Sequence, residues 1–314
     1  MNKSNIGIIT LFTYHNYGQR LQNFALSETL ADLGYNATTL YFKEPKVHNK
    51  HLFNFTNTYI QSRLIKKPEE LQEYDSIVVG SDQVFNYNFG SYKPILDFIN
   101  PVLLQSLVAY AASFGVDRMI DRFKDRYKEH LSKYHALSVR EDAGVYIIRE
   151  LIGREAEVLP DPVFLFNDWE ALLTPAVPKN PYLLSFFIHE DAGIDRPIAK
   201  LAKERKLRLL NLHEPRVFDF LKRIRDASLV ISNSFHVINF AIIFRVPFML
   251  VENRKDMTSR FDTLLSRLGL LDYRLFNPKQ ILDFDLVPDY DQVHKILTED
   301  RERGLAFLQR NLPC

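Results

Sequence analysis

Several short polar segments of this chain carry side chains suited to holding anions and moving protons, and each directly follows an apolar run. The richest is Ser232-Asn233-Ser234-Phe235-His236. A turn of this kind that opens a helix aims backbone N–H groups and the positive end of the helix dipole at whatever lies above it, which makes a ready anion site. Ser232 and Ser234 add hydroxyl donors, and His236 can donate to an anion or transfer a proton near neutral pH. The bland alternative is that Ser or Asn caps the helix and His236 packs in the core. Arg140, which ends Leu137-Ser138-Val139, offers a guanidinium able to grip a carboxylate or phosphate through two parallel bonds. Its structural alternative is an ion pair with Glu141, Asp142 or Asp161. Asp82, in Gly80-Ser81-Asp82-Gln83, is a candidate base toward a hydroxyl or else a helix cap. Asn16-Tyr17-Gly18 lies on a first loop, where Gly18 permits a tight turn or close approach to a ligand.

The elements that must position these groups alternate. Ile6–Phe12 reads as a strand buried on both faces, followed by a helix over 19–33 that Gly34 ends. Ala37–Phe42 is a second strand, and 43–74 reads only as short helices. Further strands are expected at 76–80, 107–112, 136–140 and near Val158, with helices over 117–133 and 142–151. Pro160-Asp161-Pro162 ends this unit, and Pro175, Pro178 and Pro181 mark a boundary. The pattern then restarts: strands at 183–188, 207–210, 229–232 and 248–251, helices over 196–206, 215–226, 236–244 and 259–268, and a last helix over 291–309. Strands alternating with helices predict an α/β protein with parallel sheets covered on both faces. We therefore expect two Rossmann-like domains, 1–175 and 176–314, facing a cleft. In open sheets of this kind the chemistry sits at the carboxyl ends of the strands. That rule selects 13–18, 80–86, 113–115, 140–142 and 232–236.

Composition removes other classes. The 314 residues hold 40 Lys+Arg against 39 Asp+Glu, a formal net charge of +1, which gives no support to a sequence-independent nucleic-acid binder. One cysteine, Cys314, rules out an intramolecular disulfide framework and any zinc site built on several thiolates. No segment reads as a signal peptide. The longest apolar stretch, 240–251, is interrupted by Arg245 and Pro247 and is too short to span a membrane. The expectation is a cytoplasmic protein without a membrane span, peripheral membrane contact aside. No phosphate-loop or nucleophile-elbow signature occurs, and no metal cluster is convincing. His48, His51, His130, His135, His189-Glu190-Asp191 and His213-Glu214 have no metal-like spacing, and the basic cluster 200–208 reads as a solvated helix face.

Taken together, the strand ends resemble the polysaccharide pyruvyl transferase family. The resemblance is carried by His15-Asn16-Tyr17-Gly18 with Leu21-Gln22-Asn23-Phe24-Ala25-Leu26, Val79-Gly80-Ser81-Asp82-Gln83-Val84, Tyr110-Ala111-Ala112-Ser113-Phe114-Gly115, Ser138-Val139-Arg140-Glu141, Pro160-Asp161-Pro162 and Ser232-Asn233-Ser234-Phe235-His236. It runs from about residue 5 to about 270, and its specificity lies in the shared order and spacing of these motifs. Two positions depart from it: Val237 stands where glycine often follows the histidine, and Phe85 where tryptophan usually follows Gly-Ser-Asp-Gln.

The resemblance implies a fold similar to GT-B glycosyltransferases, with an interdomain site that transfers a pyruvyl group from phosphoenolpyruvate to sugar hydroxyls, usually as a ketal. By that similarity Arg140 matches the donor-binding arginine and His236 the motif histidine. His236 and Asp82 are then the candidate catalytic pair. The candidate substrate-binding set is Arg140, Ser234, Ser232, Asn16, Gly18, Ser81, Gln83 and Ser113. No cofactor or metal is required beyond phosphoenolpyruvate as donor substrate. The acceptor is a nucleotide-linked, lipid-linked or polymeric sugar, and the aromatic-rich region 48–62 is a candidate for shaping its side of the site. Two other readings compete: a GT-B glycosyltransferase using a nucleotide sugar, and a non-catalytic family member that binds a glycan.

Overall fold

The computed structural model describes residues 3–89, 92–102, 104, 106–175, 180–188, 193–212, 215–252 and 258–313. The His189-Glu190-Asp191 and His213-Glu214 segments, Pro178 and Cys314 lie outside them. The chain divides into two compact units. One comprises Met1–Phe166, Met257–Thr263 and Glu299–Cys314; the other comprises Asn167–Asp256 and Leu264–Thr298.

The first unit is built on strands β1 (Asn5–Ile9), β2 (Asn36–Tyr41), β3 (Ser62–Leu64), β4 (Ser76–Val79), β5 (Leu107–Ala112), β6 (Ala136–Val139) and β7 (Glu157–Val158). Helices α1 (Tyr17–Asp32), α2 (Lys50–Tyr59), α3 (Tyr92–Ile99), α4 (Asp121–Ser132) and α5 (Asp142–Ile152) connect them. The strands form one sheet in the order β3-β2-β1-β4-β5-β6-β7. Every pairing is parallel. Period-two alternation sorts the strand residues onto two covered faces. Ile9, Ile77, Val79 and Leu137 enter one cluster. Ile6, Ile8, Val78 and Val108 enter the other, with Leu26 and Leu30 of α1. Each such apolar side chain contributes about 1.5–3 kcal/mol by leaving water.

The second unit repeats the grammar. Its strands are β8 (Tyr182–Phe186), β9 (Arg208–Asn211), β10 (Leu229–Ser232), β11 (Phe248–Val251) and β12 (Arg274–Leu275). Helices α6 (Asp195–Glu204), α7 (Val217–Arg225) and α8 (Phe235–Ile243) lie between its strands in sequence. Helix α9 (Ser259–Leu268) comes between β11 and β12 in sequence and α10 (Tyr290–Asn311) closes the chain; the division between the two units falls within each of these helices. The sheet order is β12-β11-β10-β8-β9, again all parallel. The fold is thus α/β with two parallel, Rossmann-like sheets. No helix among the described residues is long and apolar enough to cross a membrane.

Several elements differ from the expected ones. The first strand stops at Ile9 rather than Phe12; beyond it the Thr10 hydroxyl donates to the Ser81 carbonyl at 3.0 Å, and the Leu11 carbonyl accepts from the Arg20 guanidinium instead of a neighbouring strand. The helix after it begins at Tyr17, so Gly18 is not on a loop but in the first helical turn, and Asn16 is the N-cap, accepting from the Gln19 N–H at 3.2 Å. Strands β3 and β12 and helix α3 were not legible. β3 is a half-buried edge strand with no alternation, and β12 has two residues.

Candidate functional site

In the first unit the carboxyl ends of β1, β4, β5 and β6 are tied together by side chains. Gln22, in the second turn of α1, donates to the Thr10 hydroxyl at 2.9 Å and accepts from the Ser81 N–H at 3.2 Å. It therefore fixes the start of the helix to the end of β4. Gly80 has φ +130°, and a Cβ there would lie 2.1 Å from the Tyr110 carbonyl oxygen; only glycine lets β4 and β5 approach so closely. The register of β5 shifts between Ala109 and Ala112. Ala111 sits inside this bulge with φ +42°. Ser138 donates to Ala109 O and accepts from Ala111 N, both at 2.9 Å, and Ser81 donates to Ala111 O at 2.7 Å. Asp82 itself holds φ +65°. Bulges and left-handed residues concentrate where a chain re-aims side chains at a functional edge.

That local geometry brings Asp82 and Arg140 together. Both are buried. The Arg140 guanidinium donates to Asp161 at 2.5 Å and to Asp82 at 3.4 Å. Of the structural alternatives for Arg140, the Asp161 ion pair is present. Burial works against the Arg140 charge, but the carboxylates of Asp161, Asp82 and Glu141 outweigh it and hold the guanidinium above its ordinary range. Glu141 is cradled separately: one oxygen accepts from the Ser113 hydroxyl at 3.0 Å, the Phe114 N–H at 2.8 Å and the Gly115 N–H at 3.1 Å. Such a set of donors replaces the water a buried carboxylate loses.

The remaining candidates of this unit divide by what their polar atoms already do. Ser81, Ser113 and Gln83 spend them inside the protein, Gln83 accepting from the Asn86 amide at 2.6 Å. Asn16 and Gly18 open α1. Phe85, at the family's usual tryptophan position, is fully buried, with its ring 5.1 Å from that of Phe114. A residue the sequence reading passed over is Arg20. It is fully buried in the first turn of α1, donates to Leu11 O, and has its guanidinium 4.4 Å from the centre of the Phe12 ring. The only signal was its position, four residues past a cap that follows a strand end.

In the second unit the segment after β10 makes a tight entry into α8. Ser232 donates to the Phe186 carbonyl at 2.6 Å and accepts from the Ser234 N–H at 3.0 Å, so its hydroxyl pins β10 to β8. The Asn233 carboxamide oxygen accepts from the Ile188 N–H at 2.8 Å. Ser234 is the N-cap in extended conformation, and its side chain makes no cap bond. His236, buried in the first turn, stands edge-on to Phe235 at 5.6 Å. Val237 is fully buried. The arrangement is a helix start with a hydroxyl and an imidazole beside its N–H groups, suited to a phosphate.

Two parallel Rossmann-like units define a class, and solved structures bear it out. The fold is similar to a Listeria monocytogenes protein described as a UDP-N-acetylglucosamine 2-epimerase (TM-score 0.63, 13% identity, covering 99% of this chain and 95% of that one). It is also similar to UDP-GlcNAc 2-epimerase from Neisseria meningitidis bound to UDP-GlcNAc (0.59, 12%, 98% and 100%). A third similar structure is Arabidopsis thaliana UGT89C1 complexed with UDP-L-rhamnose (0.60, 10%, 98% and 98%). At these identities the likeness is one of fold, and the fold is of GT-B type. No curated protein sequence matches the chain. A sequence profile of polysaccharide pyruvyl transferase matches residues 16–255, which takes in the strand-end segments from Asn16 to His236. This chain belongs to the polysaccharide pyruvyl transferase family.

Proposed function

We propose that the protein transfers a pyruvyl group from phosphoenolpyruvate to two hydroxyls of a sugar, forming a cyclic ketal on a surface or exopolysaccharide precursor in the cytoplasm. The observation that carries this reading is the family match over 16–255. One sugar hydroxyl adds to the enol carbon while the methylene carbon takes a proton and becomes methyl. Phosphate then leaves, and the second hydroxyl attacks the same carbon. One hydroxyl proton offsets the proton gained by the methyl, and the other leaves with phosphate.

Asp82 is the base toward the attacking hydroxyl. Its 3.4 Å contact with Arg140 is longer than the 2.5 Å contact of that guanidinium with Asp161. A donor carboxylate on Arg140 takes the place of that contact and leaves Asp82 to the hydroxyl. The start of α8, with Ser234 and His236, holds the phosphate, and His236 supplies or relays the proton. Positive groups around the reacting carbon also stabilise developing charge.

The test is phosphate release from phosphoenolpyruvate with a panel of sugar acceptors. His236→Ala should lower the rate by about 10²–10⁴-fold, the usual worth of a positioned acid or base. Phosphoenolpyruvate should raise the wild-type unfolding midpoint as any native-state ligand does, and Arg140→Ala should remove that rise. Release of a nucleoside diphosphate from a nucleotide sugar, with no turnover of phosphoenolpyruvate, would replace this reading by glycosyl transfer. The nucleotide sugars bound to proteins of similar fold favour that alternative.

A further inference from the structure

The first unit holds a positive charge that its own fold does not consume. Arg20 is fully buried, yet its Nε and Nη1 have no hydrogen-bond partner. Among the described residues no carboxylate forms an ion pair with it. Side chains on a helix lean toward its N-terminus, and this one runs back beneath the β1–α1 loop to Leu11 O and the Phe12 ring. Burial brings its pKa down to about 10, against the opposing influence of Tyr14 and Asp82. A buried charge that no ion pair meets is costly, and Asp82 acts on this one only from beyond ion-pair distance, so the guanidinium is a poor structural element. It is a strong anion ligand, because its desolvation is already complete before the anion arrives.

The surroundings agree with an anionic partner. The segment before α2 is docked onto the β1–α1 loop: the Asn49 N–H donates to Tyr14 O at 3.0 Å, and the Asn49 amide donates to the Tyr17 hydroxyl at 3.1 Å. It brings exposed Lys46, His48 and Lys50 to this edge, with the rings of His15 and His48 6.1 Å apart. The N-terminal turn of α1 adds its own positive end. Phe12, half-buried, lies over the guanidinium.

We propose that Arg20 and the first turn of α1 bind the phosphate of a phosphate-linked sugar acceptor, so that the enzyme acts on a precursor sugar rather than on finished neutral polymer. Giving this anion to the acceptor rests on Asp82 being the base for the acceptor hydroxyl, as proposed above. The existence of the anion site does not.

The experiment measures affinity and unfolding midpoint with glucose 1-phosphate, glucose, inorganic phosphate and phosphoenolpyruvate, for wild type, Arg20→Met, Arg20→Lys and His236→Ala. Glucose 1-phosphate and phosphate should bind the wild type, and glucose alone should not. Arg20→Met should weaken the sugar phosphate by about tenfold or more while keeping the phosphoenolpyruvate response, since a charge-assisted fork is lost. His236→Ala should do the reverse. Arg20→Lys keeps the charge without the fork and should fall between; it decides the matter if the methionine variant does not fold. Unchanged sugar-phosphate affinity in the lysine and methionine variants overturns the proposal, as does a wild type that ignores phosphate and sugar phosphate. Joint loss of both responses in a folded Arg20→Met protein moves Arg20 to the donor and overturns the acceptor assignment. A phosphoenolpyruvate response absent throughout, beside a sugar-phosphate response that depends on Arg20, removes the pyruvyl donor reading and leaves the anion site standing.

Discussion

Arg140, just past the end of β6, and Arg20, in the first turn of α1, are two buried arginines of the first unit, and they are solvated in opposite ways. Arg140 is met by Asp161 at 2.5 Å and Asp82 at 3.4 Å, and its charge is held above the ordinary range despite burial. Arg20 receives one backbone carbonyl and an aromatic face, and burial brings its pKa down to about 10. The first is a fixed part of the fold, whatever else it does. The second keeps two guanidinium nitrogens without a hydrogen-bond partner, the ground of the anion site proposed above. Burial alone therefore does not distinguish these two cations; the carboxylates in ion-pair contact with one and not the other do.

The sharpest way to break this contrast is Asp161→Asn. Leaving Arg140 without its closest counter-ion should cost about 3–5 kcal/mol, as for other broken buried pairs. Denaturant unfolding should show a lower midpoint with an unchanged slope. If the loss is below about 1 kcal/mol, Arg140 is not held as described.

A buried basic group that is neither charged nor unpaired calibrates the comparison. His130 is fully buried; its ring nitrogens face the Asn100 side-chain oxygen and the Tyr134 hydroxyl, both at 2.9 Å. Burial pushes its pKa down to about 3, with Lys133 and Arg126 adding to the effect. Below pH 6.5 the unfolded chain protonates this histidine and the folded one does not, so its contribution is full above pH 6.5 and falls toward pH 3. Between pH 7 and pH 5 this amounts to about 2 kcal/mol. His130→Leu should flatten that part of the stability profile; an unaltered pH slope would contradict the assignment.

Smallest in stability and largest in consequence is Arg20→Met. Replacing a buried charge that has no ion-pair partner by an apolar chain of similar length should change unfolding free energy by less than about 1 kcal/mol, or raise it. A loss of several kcal/mol would place Arg20 with Arg140 as a structural cation. Gly115→Ala tests the neighbouring cradle. At φ +60° its Cβ would lie 2.0 Å from the Gln83 side-chain oxygen, which itself bonds the Asn86 amide. A loss of about 1–3 kcal/mol is expected from that overpacking, read as a lower unfolding midpoint.

Much of the architecture was legible because the strands of a doubly covered sheet have little freedom in composition. Ser76–Val79, Leu229–Ser232 and Phe248–Val251 are apolar on both faces and stand out from any helical period. The topological rule then selected the loops at the carboxyl ends of those strands. It did not say what each polar side chain does there. Ser81, Ser113 and Ser232 look like ligand donors in one dimension, yet each hydroxyl closes a bond to another strand end or to Glu141. Arg20 looked like an ordinary helix residue, since nothing local distinguishes a solvated arginine from one folded back under its own N-terminus.

Apolar patterning and motif order are properties of the chain read in line, and they specify the α/β alternation, the loops that carry the polar groups and the family. Tertiary structure alone decided which of those polar groups are already satisfied. A hydrogen bond or ion pair depends on distances between residues far apart in sequence: 21 positions separate Arg140 from Asp161, and 58 separate it from Asp82.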